Sequence, residues 1–262
     1  MAELIVLKLG GSVITHKDRP MTPDMDNIRR LAEEVAEAGT RGLMIVHGGG
    51  SFGHTVASQY GIAEGLTSGD QTIGFSKTHQ AMVELNGLVV NALLRASVPA
   101  VAVAPSSFVV TERGRIGAFS FEVVRRLVEL EMVPVLYGDA VLDGVNGFSI
   151  LSGDQLAAFL SVGLKASRLV FGVDVDGVYT SNPKLNPDAS LIETLPLGRL
   201  GEMVDVGRAL TTDVTGGMLG KVMEAAAAVE AGVEVIFVNA LRPGAIFKAL
   251  KGEHVTGTVL MR

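Results

Sequence analysis

Cysteine is absent from the 262 residues. Disulfides, thiolate metal sites and cysteine nucleophiles are therefore excluded, and a reducing compartment fits. Basic residues are few, with 22 Lys and Arg against 28 Asp and Glu for a formal net charge of −6. Nothing resembles the basic footprint of a nucleic-acid binder. No apolar run reaches the ~20 residues of a transmembrane helix, because charge or glycine interrupts each one. Met1 is followed at once by a strand-like run, Leu4 to Leu9, with Lys8 inside it, so no signal peptide is expected. Internal repeats, low-complexity tracts and a clear linker are also missing. These absences predict a soluble cytoplasmic protein. An acidic chain that binds anions must concentrate its few positive groups locally, so individual lysines and glycine-rich loops become informative.

Hydrophobic residues make up 48% of the chain. That suffices for one large α/β domain or two closely packed lobes, and a domain of this size buries roughly 70–75% of its unfolded surface. Mean hydropathy is positive, as buried parallel strands would make it. Strand-like aliphatic runs fall at 3–9, 43–47, 100–104, 133–137, 168–173 and 233–238. Helix-like segments fall between them at 25–38, 71–96, 121–131, 154–166 and 217–231. The alternation predicts a three-layer αβα sandwich around a mostly parallel sheet, with ligands beyond the carboxyl ends of its strands. The turn signals Asp143-Gly144 and Asn146-Gly147 predict a small hairpin within 141–150. Residues 179–196, rich in Asn, Pro, Asp and Ser, read as a loop excursion. A division near residue 150 would give an acceptor half and a nucleotide half sharing one sheet.

Five segments carry chemistry. Lys8-Leu9-Gly10-Gly11-Ser12 ends the first strand. A lysine inside an apolar strand is costly without a partner, and two glycines after it let backbone N–H groups approach a phosphate. The bland alternative is an edge-strand lysine before an ordinary turn. His47-Gly48-Gly49-Gly50-Ser51-Phe52-Gly53-His54 follows the second strand. Gly48, Gly50 and Gly53 formally satisfy the dinucleotide fingerprint, but on the second strand and with Asp70 misplaced in a loop. A glycine loop feeding a helix start remains an anion site, with His54 in the first helical turn. Ser152-Gly153-Asp154-Gln155 opens a helix, where Asp154 is either an N-cap or a carboxylate that orients lysines. Asp174-Val175-Asp176-Gly177-Val178-Tyr179 follows a strand and suits a ribose or adenine edge, or is merely a turn. Gly216 to Lys221 imitates a P-loop but is too short, and Val222 stands where Ser or Thr would bind magnesium.

Taken together, these segments resemble the amino-acid kinase superfamily, in its order and over nearly the whole chain. Within it they are similar to the isopentenyl phosphate kinase family. Lys8 through Thr15 with Lys17, His47 through His54, Tyr137-Gly138-Asp139, Ser152 through Gln155, Asp174 through Tyr179, and Thr212-Asp213-Val214-Thr215-Gly216-Gly217-Met218 with Lys221 carry the resemblance. It implies ATP-dependent phosphorylation of isopentenyl phosphate, with Mg²⁺ carried by the ATP phosphates and no protein metal site. Lys8 and Lys221 would stabilise the transferring phosphoryl, with Asp154 orienting them, and Lys17 would reach the phosphates. Lys8, Leu9, Gly10, Gly11 and Ser12 would cradle ATP, which Gly50, Asp174, Tyr179, Gly217 and Lys221 would also contact. Gly49, His54 and Gly153 would hold the acceptor's phosphate. The resemblance further implies a homodimer, with no nucleic-acid or membrane partner.

An isoprenoid acceptor needs an apolar pocket. Phe75, Met82, Leu85 and Val89 recur at helical spacing and either line one or are simply core. A kinase of a phosphonate such as fosfomycin would also use His54. A carboxylate acceptor would not call for it. A non-catalytic nucleotide binder of the same fold would be expected to lack Lys8, Asp154 or Lys221.

Overall fold

The computed structural model describes residues 3–204 and 217–262. Among them the strands are β1 (Ile5–Leu9), β2 (Leu43–His47), β3 (Ala100–Ala102), β4 (Val109–Glu112), β5 (Arg115–Phe119), β6 (Val133–Tyr137), β7 (Asp139–Asp143), β8 (Gly147–Leu151), β9 (Arg168–Val173), β10 (Thr194–Pro196), β11 (Glu234–Asn239) and β12 (Gly257–Met261). The α-helices are α1 (Gly11–Ile14), α2 (Met25–Ala38), α3 (Gly50–Gln59), α4 (Gln71–Arg95), α5 (Glu122–Glu129), α6 (Gly153–Gly163), α7 (Leu200–Met203), α8 (Gly217–Glu230) and α9 (Ala245–Lys251). No helix among the described residues is long and apolar enough to cross a membrane.

An eight-stranded sheet in the order β10-β12-β11-β9-β1-β2-β6-β3 forms the middle layer. Its pairings are parallel except β11 with β12. Every residue of β1, β2 and β6 is buried, because helices cover both faces. Strand residues alternate between those faces. Ile5, Leu7 and Leu9 join the core beneath α2, α4 and α9, whereas Val6 joins the one beneath α6 and α8. Lys8 shares the parity of Val6. It therefore points toward α6, in the middle of the sheet rather than at an edge.

Helix starts follow their local chemistry. The Asp24 carboxylate accepts a hydrogen bond from the Asn27 N–H at 3.0 Å and caps α2. Ser152 caps α6 by accepting from the Asp154 N–H at 3.2 Å. Asp154 is thus not the cap, and its carboxylate is left for other partners.

The expected hairpin exists as β7 and β8, but it belongs to a separate four-stranded sheet, β5-β4-β7-β8. Strands β4, β5, β10 and β12 and helix α9 carried no sequence signal strong enough to be expected. Strands β4 and β10 have only four and three residues, and β4 and β5 alternate or mix polar residues into their runs.

Candidate active site

Two glycine loops meet at the carboxyl ends of β1 and β2. A Cβ on Gly11 would lie 2.1 Å from the Gly50 nitrogen. Gly50 has φ +49°, and a Cβ there would lie 2.1 Å from Thr15 Oγ1 and 2.7 Å from the Gly11 carbonyl oxygen. Only glycine allows this backbone-on-backbone approach. Thr15 fastens it, donating to the Gly11 carbonyl at 2.8 Å and accepting from the Ser51 N–H at 3.0 Å. The start of α6 closes the third side: Gly138 N–H donates to the His47 carbonyl at 2.9 Å, and a Cβ on Gly153 would lie 3.0 Å from that oxygen. The N-termini of α1, α3 and α6 are thereby gathered together. Free N–H groups and helix dipoles there favour anions.

A buried charge triplet stands beside them. Lys8 Nζ lies 2.5 Å from Asp154 Oδ1, and Lys221 Nζ lies 2.9 Å from Asp154 Oδ2. Lys8 is 3% exposed and Asp154 5%. Burial pushes the Asp154 carboxyl up, but the charges and hydrogen bonds of the two lysines outweigh it and hold it down at about 2. Lys221 arrives from α8, one turn beyond Gly217, which opens that helix. The triplet carries a net positive charge against the glycine loops, an arrangement suited to phosphate.

A second, open cluster follows β9. Asp174 takes Lys17 Nζ at 3.4 Å and Lys184 Nζ at 2.8 Å, and both lysines are largely exposed. Burial raises the Asp174 carboxyl, but the Lys184 hydrogen bond and the charges of both lysines win and leave it below the ordinary range. Asp176 accepts from Asn239 Nδ2 at 2.9 Å and from Arg242 at 2.5 Å, with the Tyr179 hydroxyl at 3.4 Å. Thr258 Oγ1 accepts from the Val178 N–H at 2.8 Å and donates to the Ile192 carbonyl at 2.6 Å, so β12 pins both ends of the 179–191 excursion.

On the other side, His54 is exposed on α3, at the start of its second turn rather than in its first. His47 is fully buried, with Nδ1 3.0 Å from the Gly48 carbonyl and Nε2 3.1 Å from the Asn86 amide. Burial outweighs these bonds and lowers its pKa to about 4, so the ring is neutral near pH 7. Met82 packs on the loop, its Sδ 3.1 Å from a Cβ built on Gly49. Leu85 and Val89 lie in the sheet core with α2, which is the plain structural outcome for them. Phe75 instead meets Phe148 at 5.6 Å between ring centroids, in a small apolar cluster with Tyr60, Ile62, Ala140 and Ile150.

The structure thus brings together Lys8, Leu9, Gly10, Gly11, Ser12, Gly49, Gly50, Gly153, Asp154 and Lys221. It sets Lys17, Asp174 and Tyr179 at the neighbouring strand end. Residues 212–216, which carry part of the resemblance, lie outside the described residues. Lys184 joins this cluster without a sequence signal, since a lysine in an Asn-Pro-Lys loop has no feature that distinguishes it from a solvated one.

The sequence profile of the amino acid kinase family matches residues 3–239. The chain belongs to the amino acid kinase family. Within this family, an isopentenyl phosphate kinase from Methanothermobacter thermautotrophicus is 45% identical over 97% of this chain and 98% of its own length. One from Thermoplasma acidophilum is 33% identical over 98% of this chain and 100% of its own. A solved isopentenyl phosphate kinase structure superposes with a TM-score of 0.87 at 41% identity, covering 98% of this chain and all of that one. Family membership accounts for the αβα layers.

Proposed function

We propose that this protein transfers the γ-phosphoryl group of ATP to isopentenyl phosphate, giving ADP and isopentenyl diphosphate for isoprenoid synthesis. The observation that carries the reading is the buried Lys8–Asp154–Lys221 triplet set against the paired glycine loops. The full-length likeness to isopentenyl phosphate kinases supports the choice of acceptor.

In this reading an acceptor phosphate oxygen attacks the γ-phosphorus in line while the bond to the β,γ-bridging oxygen breaks. The acceptor oxygen is already ionised near pH 7, so no general base is needed. Alignment and charge neutralisation supply the rate. Lys8 and Lys221 neutralise the transferring group, and Asp154 keeps the two ammonium groups in place. Leu9, Gly10, Gly11 and Ser12 present backbone to the ATP phosphates, and Lys17 moves from Asp174 to join them. Gly50, Asp174, Tyr179 and Gly217 border the nucleotide. Gly49, His54 and Gly153 hold the acceptor phosphate, with the Phe75–Phe148 cluster as its apolar neighbour.

Asp154 and Asp174 are each engaged by two lysines, and no group of three or more His, Asp or Glu converges as a metal cage among the described residues. In this reading Mg²⁺ would arrive carried by the ATP phosphates. When bound, it would neutralise part of the β,γ-phosphate charge. Residues 1–150 form the acceptor lobe and 151–262 the nucleotide lobe across the shared sheet. The protein works in the cytoplasm as a homodimer.

The test is ATP consumption with isopentenyl phosphate, dimethylallyl phosphate, fosfomycin, glutamate and N-acetylglutamate. Turnover confined to the isoprenoid phosphates is expected. Turnover with fosfomycin alone would move the function to a phosphonate. ATP binding without turnover of any acceptor would favour a nucleotide-binding role. The His54→Ala variant should raise acceptor KM and lower kcat with little change in ATP binding. An equal loss of ATP affinity would place His54 on the nucleotide side.

A further inference from the structure

Helix α8 delivers Lys221, yet its buried face is mostly small: Val222, Ala225, Ala228 and Val229. Alanines let α8 lie close on α6 but key its rotation and sliding weakly. A second attachment exists one turn beyond Lys221. Glu224 receives both guanidinium nitrogens of Arg115, at 2.5 and 2.9 Å. A two-pronged guanidinium–carboxylate pair fixes direction as well as distance. Residues three apart on a helix share a face, so Lys221 and Glu224 stand on the same side of α8.

Arg115 is itself held from below. It opens β5 directly after the two-residue turn Arg113-Gly114, whose φ values of +51° and +76° are those of a tight hairpin. The Asp143 carboxylate accepts from the Arg113 N–H at 3.2 Å and the Gly114 N–H at 2.8 Å. Gln155 grips the backbone on both sides of Arg115, accepting from the Ile116 N–H at 2.9 Å and donating to the Gly114 carbonyl at 3.0 Å. Gln155 is the neighbour of Asp154. The contacts close a ring: Asp154 holds Lys221, one turn of α8 leads to Glu224, Arg115 holds Glu224, and Gln155 holds the strand that bears Arg115.

We propose that Arg115 is a positioning residue for the phosphoryl transfer, acting through Glu224 to fix the register of α8 and so keep Lys221 on Asp154. The hairpin of the small sheet thereby acts as a strut from the acceptor side to the helix that carries a phosphate-binding lysine. The side chains of Arg115 and Glu224 are 64% and 23% exposed, so loss of the pair should cost little global stability. The proposal rests on the kinase reading for its rate consequence, but its geometric consequence does not.

Two measurements test it. In wild type, Lys221 should resist acetylation by a water-soluble amine reagent relative to Lys248, read by mass spectrometry without ATP or acceptor. Arg115→Ala and Glu224→Ala should each speed Lys221 labelling several-fold at unchanged Tm. Labelling at the wild-type rate in both variants overturns the proposal, whatever the enzyme's substrate proves to be. In the coupled ATP assay with isopentenyl phosphate, Arg115→Ala should lower kcat roughly ten- to a hundredfold, as for a misplaced charge, with acceptor KM little moved. Arg115→Lys should recover part of the loss. The swapped pair Arg115→Glu with Glu224→Arg should exceed either single reversal. Singles whose losses simply multiply in the swap, or an unchanged kcat in Arg115→Ala, would sink it. A wild type inactive on isopentenyl phosphate would refute the acceptor assignment instead, leaving the labelling result to decide the strut.

Discussion

Among the described residues the same charge motif occurs twice, in opposite surroundings. Lys8–Asp154–Lys221 is buried, whereas Lys17–Asp174–Lys184 leaves both ammonium groups largely in water. In the first, desolvation makes each charge depend on the others, so the group is rigid and its removal is costly. In the second, water already solvates the lysines, so exchanging Asp174 for a phosphate costs little. One triplet is suited to a fixed field at the reacting phosphorus, the other to a gate of exchangeable cations beside it.

That contrast is best broken at its strongest point. Asp154→Ala removes the carboxylate that two lysines share, one of them buried. It should destabilise the fold by about 3–5 kcal/mol and cut kcat by at least ~10²–10³. Urea unfolding and steady-state kinetics measure both, and a variant of normal stability would deny the triplet its buried character. Lys8→Met should lower kcat by a similar ~10²–10³ but destabilise less, since Lys221 still neutralises Asp154. Near-normal turnover in that variant would remove Lys8 from the chemistry.

The open cluster should respond differently. Lys17→Ala and Lys184→Ala should shift stability by no more than about 1 kcal/mol while raising the KM for ATP. That rise should shrink at high ionic strength. If either variant instead lost stability on the scale of Asp154→Ala, the contrast would collapse.

Acid sharpens the comparison further. Asp154 titrates at about 2 in the folded protein, below its ordinary 3.8, so its contribution is complete above 3.8 and drains away as pH falls toward 2. Buried His47 acts earlier. Its pKa drops from 6.5 to about 4, so the unfolded chain binds the extra proton and stability declines between those values, by about 3 kcal/mol at most. Unfolding midpoints taken across pH 7 to 4 should fall with pH. The His47→Gln variant should lack that slope, and a flat wild-type profile would contradict the neutral buried ring.

Much of this was legible in the sequence because it is local. Helix 25–38 and strands 43–47, 133–137 and 168–173 are found where periodicity and apolar runs put them. Lys8 stood out as a charge inside an apolar strand, and parity alone aims it at the face of Val6. What stayed hidden is non-local. Gln155 binds a backbone N–H 39 positions away, and Arg115 meets Glu224 across 109. No periodicity encodes such pairs. Strands β4 and β10 escaped because runs of four and three residues are too short for a period to show. Leu85 and Val89 show the converse, since helical spacing alone does not separate a pocket wall from a core.

The position of β12 bears on the order in which the molecule can be made. It threads between β11 and β10, so residues 194–196 have no edge to join until residues 257–261 are in place. Thr258 also supplies the hydrogen bonds that pin Val178 and Ile192. On the ribosome, the paired loops at Gly11 and Gly50 can therefore settle early in synthesis. The wall running from Asp174 to Tyr179 waits for β12 to emerge. A nascent chain stalled before residue 257 would carry one finished half of the site and one open half.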